Sequence, residues 1–148
     1  MAKTSLADRD VESSAFLDRM AWMLECAGMS SLKIYVDADA CPVKEEAHRV
    51  ATRHGLEIIY VSNSHMRLPA GDNVKRIVVA EGADAADDWI VEQVTGRDIV
   101  ITADIPLASR SLKKQAQVLA HTGKPFTPDG IGMALAMREL MKELREST

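Results

Sequence analysis

Apolar and polar positions along the chain follow two different periods. From Lys33 onward, short runs rich in branched and aromatic residues alternate with stretches whose apolar positions recur every three or four residues, the pattern of an α/β domain on a mainly parallel sheet. Ile34-Tyr35-Val36 makes the first strand, Glu57 to Val61 the second and Lys75 to Ala80 the third; the wholly apolar Ile99-Val100-Ile101 makes a fourth, central one. Between the first two, Pro42 takes a first-turn position, and Val43, Ala47, Val50, Ala51 and His54 form a helical stripe that Gly55 ends. A second helix is predicted from Asp84 to Val94. A third turns Ala108, Leu112, Ala116 and Leu119 inward and Arg110, Lys113, Lys114 and Gln117 outward. Thr127-Pro128 reads as an N-cap and first helical position. The helix it opens carries the stripe Met133, Met137, Leu140, Met141 and Leu144, expected as adaptable core, with a homodimer contact as the alternative. Ser62 to Asn73 is a polar loop of a length that often carries function.

Upstream, Phe16, Met20, Met23, Leu24 and Ala27 fall on one helical stripe, and Gly28-Met29-Ser30-Ser31 reads as a linker. The expected organisation is therefore an N-terminal helical extension over residues 1–32, with Met29 as an alternative start, followed by one α/β domain over residues 33–148. A chain of 148 residues has room for one core. Charge breaks every hydrophobic stretch well short of a membrane span, and Asp18, Arg19 and Glu25 interrupt what would have to be a secretory leader. Two cysteines are too few for a disulfide framework or a four-ligand zinc site, so a reducing cytoplasm fits. The net charge of −4 excludes a strongly basic nucleic-acid binder as judged by charge alone.

In an open parallel sheet, ligands bind beyond the carboxyl ends of the strands, and aspartates recur there. Strand one ends in Asp37-Ala38-Asp39, strand three leads through Glu81-Gly82 to Asp84, Asp87 and Asp88, and strand four ends in Thr102-Ala103-Asp104. Spacings of three and four put Asp84 on a helix face with Asp87 and Asp88. Carboxylates gathered from three strand ends repel one another unless a cation or protons join them. Oxygen-only ligands select Mg²⁺ or Mn²⁺ over zinc. Asp37, Asp39, Asp84, Asp87, Asp88 and Asp104 are thus the candidate metal ligands, for an ion that would activate water and stabilise in-line displacement at phosphorus. On the substrate side, Lys44, Arg67 and Arg110 could line a groove for a phosphodiester backbone, and Ser62, Asn63 and Thr102 offer hydrogen bonds to a phosphate or a ligand carboxylate.

Plainer roles stand beside these. Asp84 and Asp104 suit helix N-caps, and Asp87 and Asp88 complement a helix dipole. The cations suit a solvated helix face, and Asn63 suits a turn. Cys41, next to acids, reads as a small buried residue whose thiolate is suppressed, and His54 as a packed histidine.

The blocks Ile34-Tyr35-Val36-Asp37-Ala38-Asp39-Ala40-Cys41-Pro42-Val43-Lys44, Val61-Ser62-Asn63, Gly82-Ala83-Asp84-Ala85-Ala86-Asp87-Asp88-Trp89-Ile90, Ile101-Thr102-Ala103-Asp104-Ile105-Pro106-Leu107-Ala108 and Pro125-Phe126-Thr127-Pro128, in this order, closely resemble the YaiI/YqxD family of bacterial proteins, whose reaction is unassigned. The resemblance runs from Lys33 to Arg145. It implies a PIN-like fold, a three-layer α/β/α sandwich whose best-known members are metal-dependent ribonucleases. It also implies that Asp37, the Asp84 to Asp88 cluster and Asp104 correspond to metal-binding acids, with Thr102 beside the last. Two departures are the residues before Lys33 and Gly130-Ile131-Gly132-Met133, where an acidic residue would be expected near the helix start.

The leading expectation is a Mg²⁺- or Mn²⁺-dependent nuclease acting on RNA or another phosphodiester, with Asp37, Asp88 and Asp104 as its catalytic residues. The alternatives are a phosphatase of the haloacid-dehalogenase type with Asp37 as nucleophile, and a binding module without catalysis.

Overall fold

The computed structural model describes residues 15–24, 32–80 and 85–146. Five strands, β1 (Lys33–Asp37), β2 (Glu57–Ser62), β3 (Val74–Val78), β4 (Ile99–Ile101) and β5 (Gln117–Leu119), form one sheet in the order β3-β2-β1-β4-β5. Every pairing is parallel, in a register that sets Asp37 opposite Val61, Val36 opposite Ile101, and Ile101 opposite Leu119. The helices are α1 (residues 15–24), α2 (Lys44–Arg53), α3 (Ala85–Gln93), α4 (Ile105–Lys113) and α5 (Pro128–Glu146).

Alternation along each strand divides the core in two. Ile34, Val36, Ile58, Tyr60, Ile99 and Ile101 face one side, covered by Phe16, Met20 and Leu24 of α1 and by Ala47, Val50 and Ala51 of α2. Tyr35, Ile59, Val61 and Val100 face the other, under Ala86 and Ile90 of α3, Leu107 and Ala108 of α4, and Ile131 of α5. The result is the three-layer α/β/α sandwich expected. The stripe Phe16, Met20, Met23 and Leu24 is fully part of the first core; Ala27 and the linker lie outside the described residues. Met66 and Leu68, from the connection between β2 and β3, pack against the same core. This connection does the covering that a crossover helix would do elsewhere.

Two expectations are corrected. The third helix does not run to Leu119: α4 ends at Lys113, and Gln117–Leu119 form the fifth strand. The turn between them is a Schellman cap, with Gln115 N–H donating to Leu112 O, Ala116 N–H donating to Ser111 O, and Gln115 at φ 67°. Gly55 closes α2 in the same way, donating to Thr52 O at φ 67° while Leu56 N–H reaches Ala51 O. The second correction concerns α5. It is capped as expected, Gly130 N–H donating to Thr127 Oγ1 at 3.1 Å, but its Met and Leu stripe is exposed and only Ile131 is buried.

The sheet edges differ. β3 is half-exposed, with Lys75 and Arg76 open to solvent. Beyond β5 the chain turns at Gly123 and comes back along it: Leu119 bridges Pro125 in antiparallel sense, and Phe126 N–H donates to Val118 O.

From the central pair the connections leave in opposite directions, α2 leading from β1 to β2 and α4 from β4 to β5. The crevice between the carboxyl ends of β1 and β4 is the topological switch point of the sheet, where open α/β folds place their ligands.

Candidate functional site

Asp37 closes β1 at that switch point and is only 6% exposed. Thr102, the residue after β4, is buried beside it and donates Oγ1–H to Asp37 Oδ2 at 3.1 Å. The same hydroxyl oxygen accepts from Asp104 N–H at 3.0 Å. Asp104 in turn caps α4, its Oδ1 accepting from Leu107 N–H at 3.3 Å. Its capping role is therefore real, and it coexists with proximity to Asp37.

Burial pushes the Asp37 carboxyl above the ordinary aspartate range. The Thr102 hydrogen bond works against this, and the charges of Asp104 and Asp39 push in the same direction as burial. Asp39 lies in the 3-10 turn Ala38–Ala40, where its Oδ2 accepts from Asn63 N–H at 2.9 Å, joining the ends of β1 and β2. Asp37, Asp39 and Asp104 thus share one electrostatic field. Among the described residues, no group of three or more His, Cys, Asp or Glu side chains is gathered closely enough to hold a metal ion.

The remaining candidates are placed as follows. Asp87 is buried on α3, whereas Asp88 is exposed on the next position and pairs with Arg110 of α4 at 2.8 Å. That ion pair ties α3 to α4 and occupies both groups. Asp84 lies outside the described residues. Ser62 Oγ–H donates to Ser64 O at 2.6 Å, turning inward on its own loop. Lys44 Nζ donates to Cys41 O at 2.6 Å at the start of α2. With exposed Arg67, Lys44 lines an open cleft of about 320 Å³ between α2 and the β2–β3 connection, where Glu45 and Glu46 add acidic walls and Pro42, Leu68 and Pro69 complete the lining.

Cys41 is buried, as expected, and loss of solvation raises its thiol to about 11, which disfavours the thiolate. Burial is the main cause, with the acidic neighbours contributing less. His54, expected as a packed residue, is half-buried at the end of α2. Sequence reasoning passed over Tyr60, which is fully buried in β2 and donates its hydroxyl to Lys44 O at 2.7 Å, fixing the start of α2. The available signal was a tyrosine within an apolar strand, since a buried hydroxyl needs a partner.

The family described as "Uncharacterized BCR, YaiI/YqxD family" matches residues 35–148. A "UPF0178 protein" of Parvibaculum lavamentivorans is 63% identical over 115 residues, covering 78% of this chain and 76% of its own. One from Rhodopseudomonas palustris is 57% identical, covering 78% and 70%, and one from Gluconacetobacter diazotrophicus is 54% identical over 114 residues, covering 77% and 74%. No solved structure matches the chain.

Proposed function

We propose that this chain, which belongs to the YaiI/YqxD family, hydrolyses phosphodiesters, RNA among them, with the help of a Mg²⁺ or Mn²⁺ ion received at Asp37 and Asp104. The observation that carries this reading is the buried carboxylate of Asp37, which faces the charges of Asp104 and Asp39 at the switch point of a parallel sheet. Such an arrangement costs stability, and a cation would relieve the cost.

The donor set fits the ion. Mg²⁺ keeps several waters and takes one or two carboxylates plus the oxygens of a substrate phosphate, so a three-sided protein cage is not needed. Asp37 and Asp104 would hold it, with water and substrate oxygens completing its shell, while Asp39 is held by Asn63 N–H. When bound, the ion supplies positive charge to the phosphoryl oxygens and lowers the pKa of water.

The chain's own residues do the positioning. Thr102 fixes one oxygen of Asp37 and, through the Asp104 N–H, the start of α4. Asn63 N–H holds Asp39. Arg67 and Lys44 bring positive charge to the cleft between α2 and the β2–β3 connection, where Glu45 and Glu46 offset it; with a net charge of −4, phosphate binding there depends on these two cations. In this reading Asp88 serves Arg110 and not the ion.

The test is calorimetric titration of Mn²⁺ into the wild type and into Asp37→Asn with Asp104→Asn, beside cleavage of a mixed-sequence single-stranded RNA and of a chromogenic phosphodiester. Binding and cleavage that both vanish in the double variant support the reading. Hydrolysis of the small diester alone narrows the substrate to small phosphoesters. Metal binding without any hydrolysis points to a binding module, and absence of binding at millimolar metal refutes the shared site.

A further inference from the structure

The second half of α5 is open to solvent along its length. Ile131 is buried and Leu135 half-buried, but every residue from 136 to 146 is exposed, an arm of about 16 Å at 1.5 Å per residue. A helix this short is marginal in water without packing. Yet Met133, Met137, Leu140, Met141 and Leu144 are each between 50% and 75% exposed. The four-three-four spacing of Met133, Met137, Leu140 and Leu144 is that of a helix seam packed against another helix. Toward the start of α5 the same face carries Gly130 and Ala134, which line an apolar recess of about 210 Å³ with Pro125 and Phe126.

We propose that a second copy of this chain covers the stripe, two α5 helices packing antiparallel about a twofold axis at Met137. The face carries the small Gly130 and Ala134 near its start and the large Leu140 and Leu144 near its end, so two copies running antiparallel set large against small. An axis at Met137 lays Leu140 and Leu144 of each copy over Ala134 and Gly130 of the other, filling both recesses, and sets Met133 against Met141. The open Met and Leu surface amounts to roughly 500 Å² per copy and about 1,000 Å² for the pair, the size at which specific interfaces begin. Methionine adapts to the axis, where each side chain meets its own copy. The pairing does not depend on the reading of the Asp37 site.

Sedimentation equilibrium of the full chain at tens of micromolar tests it. The expected wild-type mass is twice 16.2 kDa. Leu140→Glu with Leu144→Glu should give the single-chain mass, whereas Lys142→Glu, off the stripe, should keep the doubled one. A short bismaleimide should join chains carrying Met137→Cys and not those carrying Lys142→Cys. A wild type of single-chain mass, as a segment of the same chain or another protein on the stripe would give, overturns the proposal. So does a dimer that survives the double glutamate variant, or cross-linking that does not distinguish positions 137 and 142.

Discussion

The hydroxyl of Thr102 reaches Asp37 at 3.1 Å across the boundary between the two central strands, β4 and β1. A buried acid and its donor thus belong to elements 65 positions apart in sequence, held in register by the parallel pairing of Val36 with Ile101.

Because burial and neighbouring charge raise the Asp37 carboxyl, the folded chain binds that proton more tightly than the unfolded one. This group's contribution to stability is greatest at low pH and is lost as pH rises through its folded-state pKa. Asp37→Asn is neutral throughout and still accepts from Thr102. Its melting temperature is expected a few degrees above wild type at neutral pH, with the gain shrinking as the solution is acidified. Thermal scans from acid to neutral pH read this directly; a variant that melts lower at neutral pH would show a favourable partner for the charge.

Thr102→Val removes the donor to Asp37 and the acceptor of Asp104 N–H together. Two buried or part-buried groups then lose a partner, at a cost of about 1–3 kcal/mol in urea unfolding. The loss should be larger at neutral than at acid pH, since the charged Asp37 suffers most, and Thr102→Ser should recover most of it.

The Asp88–Arg110 pair is half-exposed on both sides. A double-mutant cycle should give a coupling under about 1 kcal/mol, decreasing with added salt. Asp88→Asn should leave Mn²⁺ binding nearly unchanged, in contrast to Asp37→Asn. Equal losses in the two variants would return Asp88 to the metal set.

Gln115 closes α4 in the left-handed region that Gly55 adopts at the end of α2. Gln115→Gly should stabilise the chain by about 1 kcal/mol through relief of that conformation, and Gly55→Ala should destabilise it by a similar amount. Chemical denaturation of the two variants measures both signs.

Phe16 is fully buried against the sheet. Phe16→Ala should therefore cost about 3–5 kcal/mol, a core-sized loss from a residue outside the span of the family match.

The contrast between Gly55 and Gln115 explains where the fold was legible. A glycine announces a left-handed cap, so the end of α2 is legible in the sequence. Glutamine announces nothing, and Ala108, Leu112, Ala116 and Leu119 continued the helical period across a turn, hiding a strand too short to show its own. At the site, the strand-end positions of Asp37, Asp39 and Asp104 followed from topology and could be read. The role of Thr102 as a donor to a carboxylate could be read as well, although which aspartate it serves depends on register. That Asp88 faces Arg110 could not, being a matter of how α3 and α4 pack. The α5 stripe showed its apolar spacing but not whether anything in the same chain covers it.

The two sheet edges limit how copies of this molecule can meet. On β3 the exposed Arg76 puts charge beside an incoming strand, while Lys75 turns back to pair with Glu57 of β2 at 2.6 Å, and the returning segment at Pro125 and Phe126 already takes up the outer hydrogen bonds of β5. Strand addition, the commonest route from a marginal sheet to fibrous aggregate, is disfavoured at one border by charge and desolvation and obstructed at the other by the chain itself. The sheet is thereby closed to further strands at both borders, and any contact between copies falls to the helical layers.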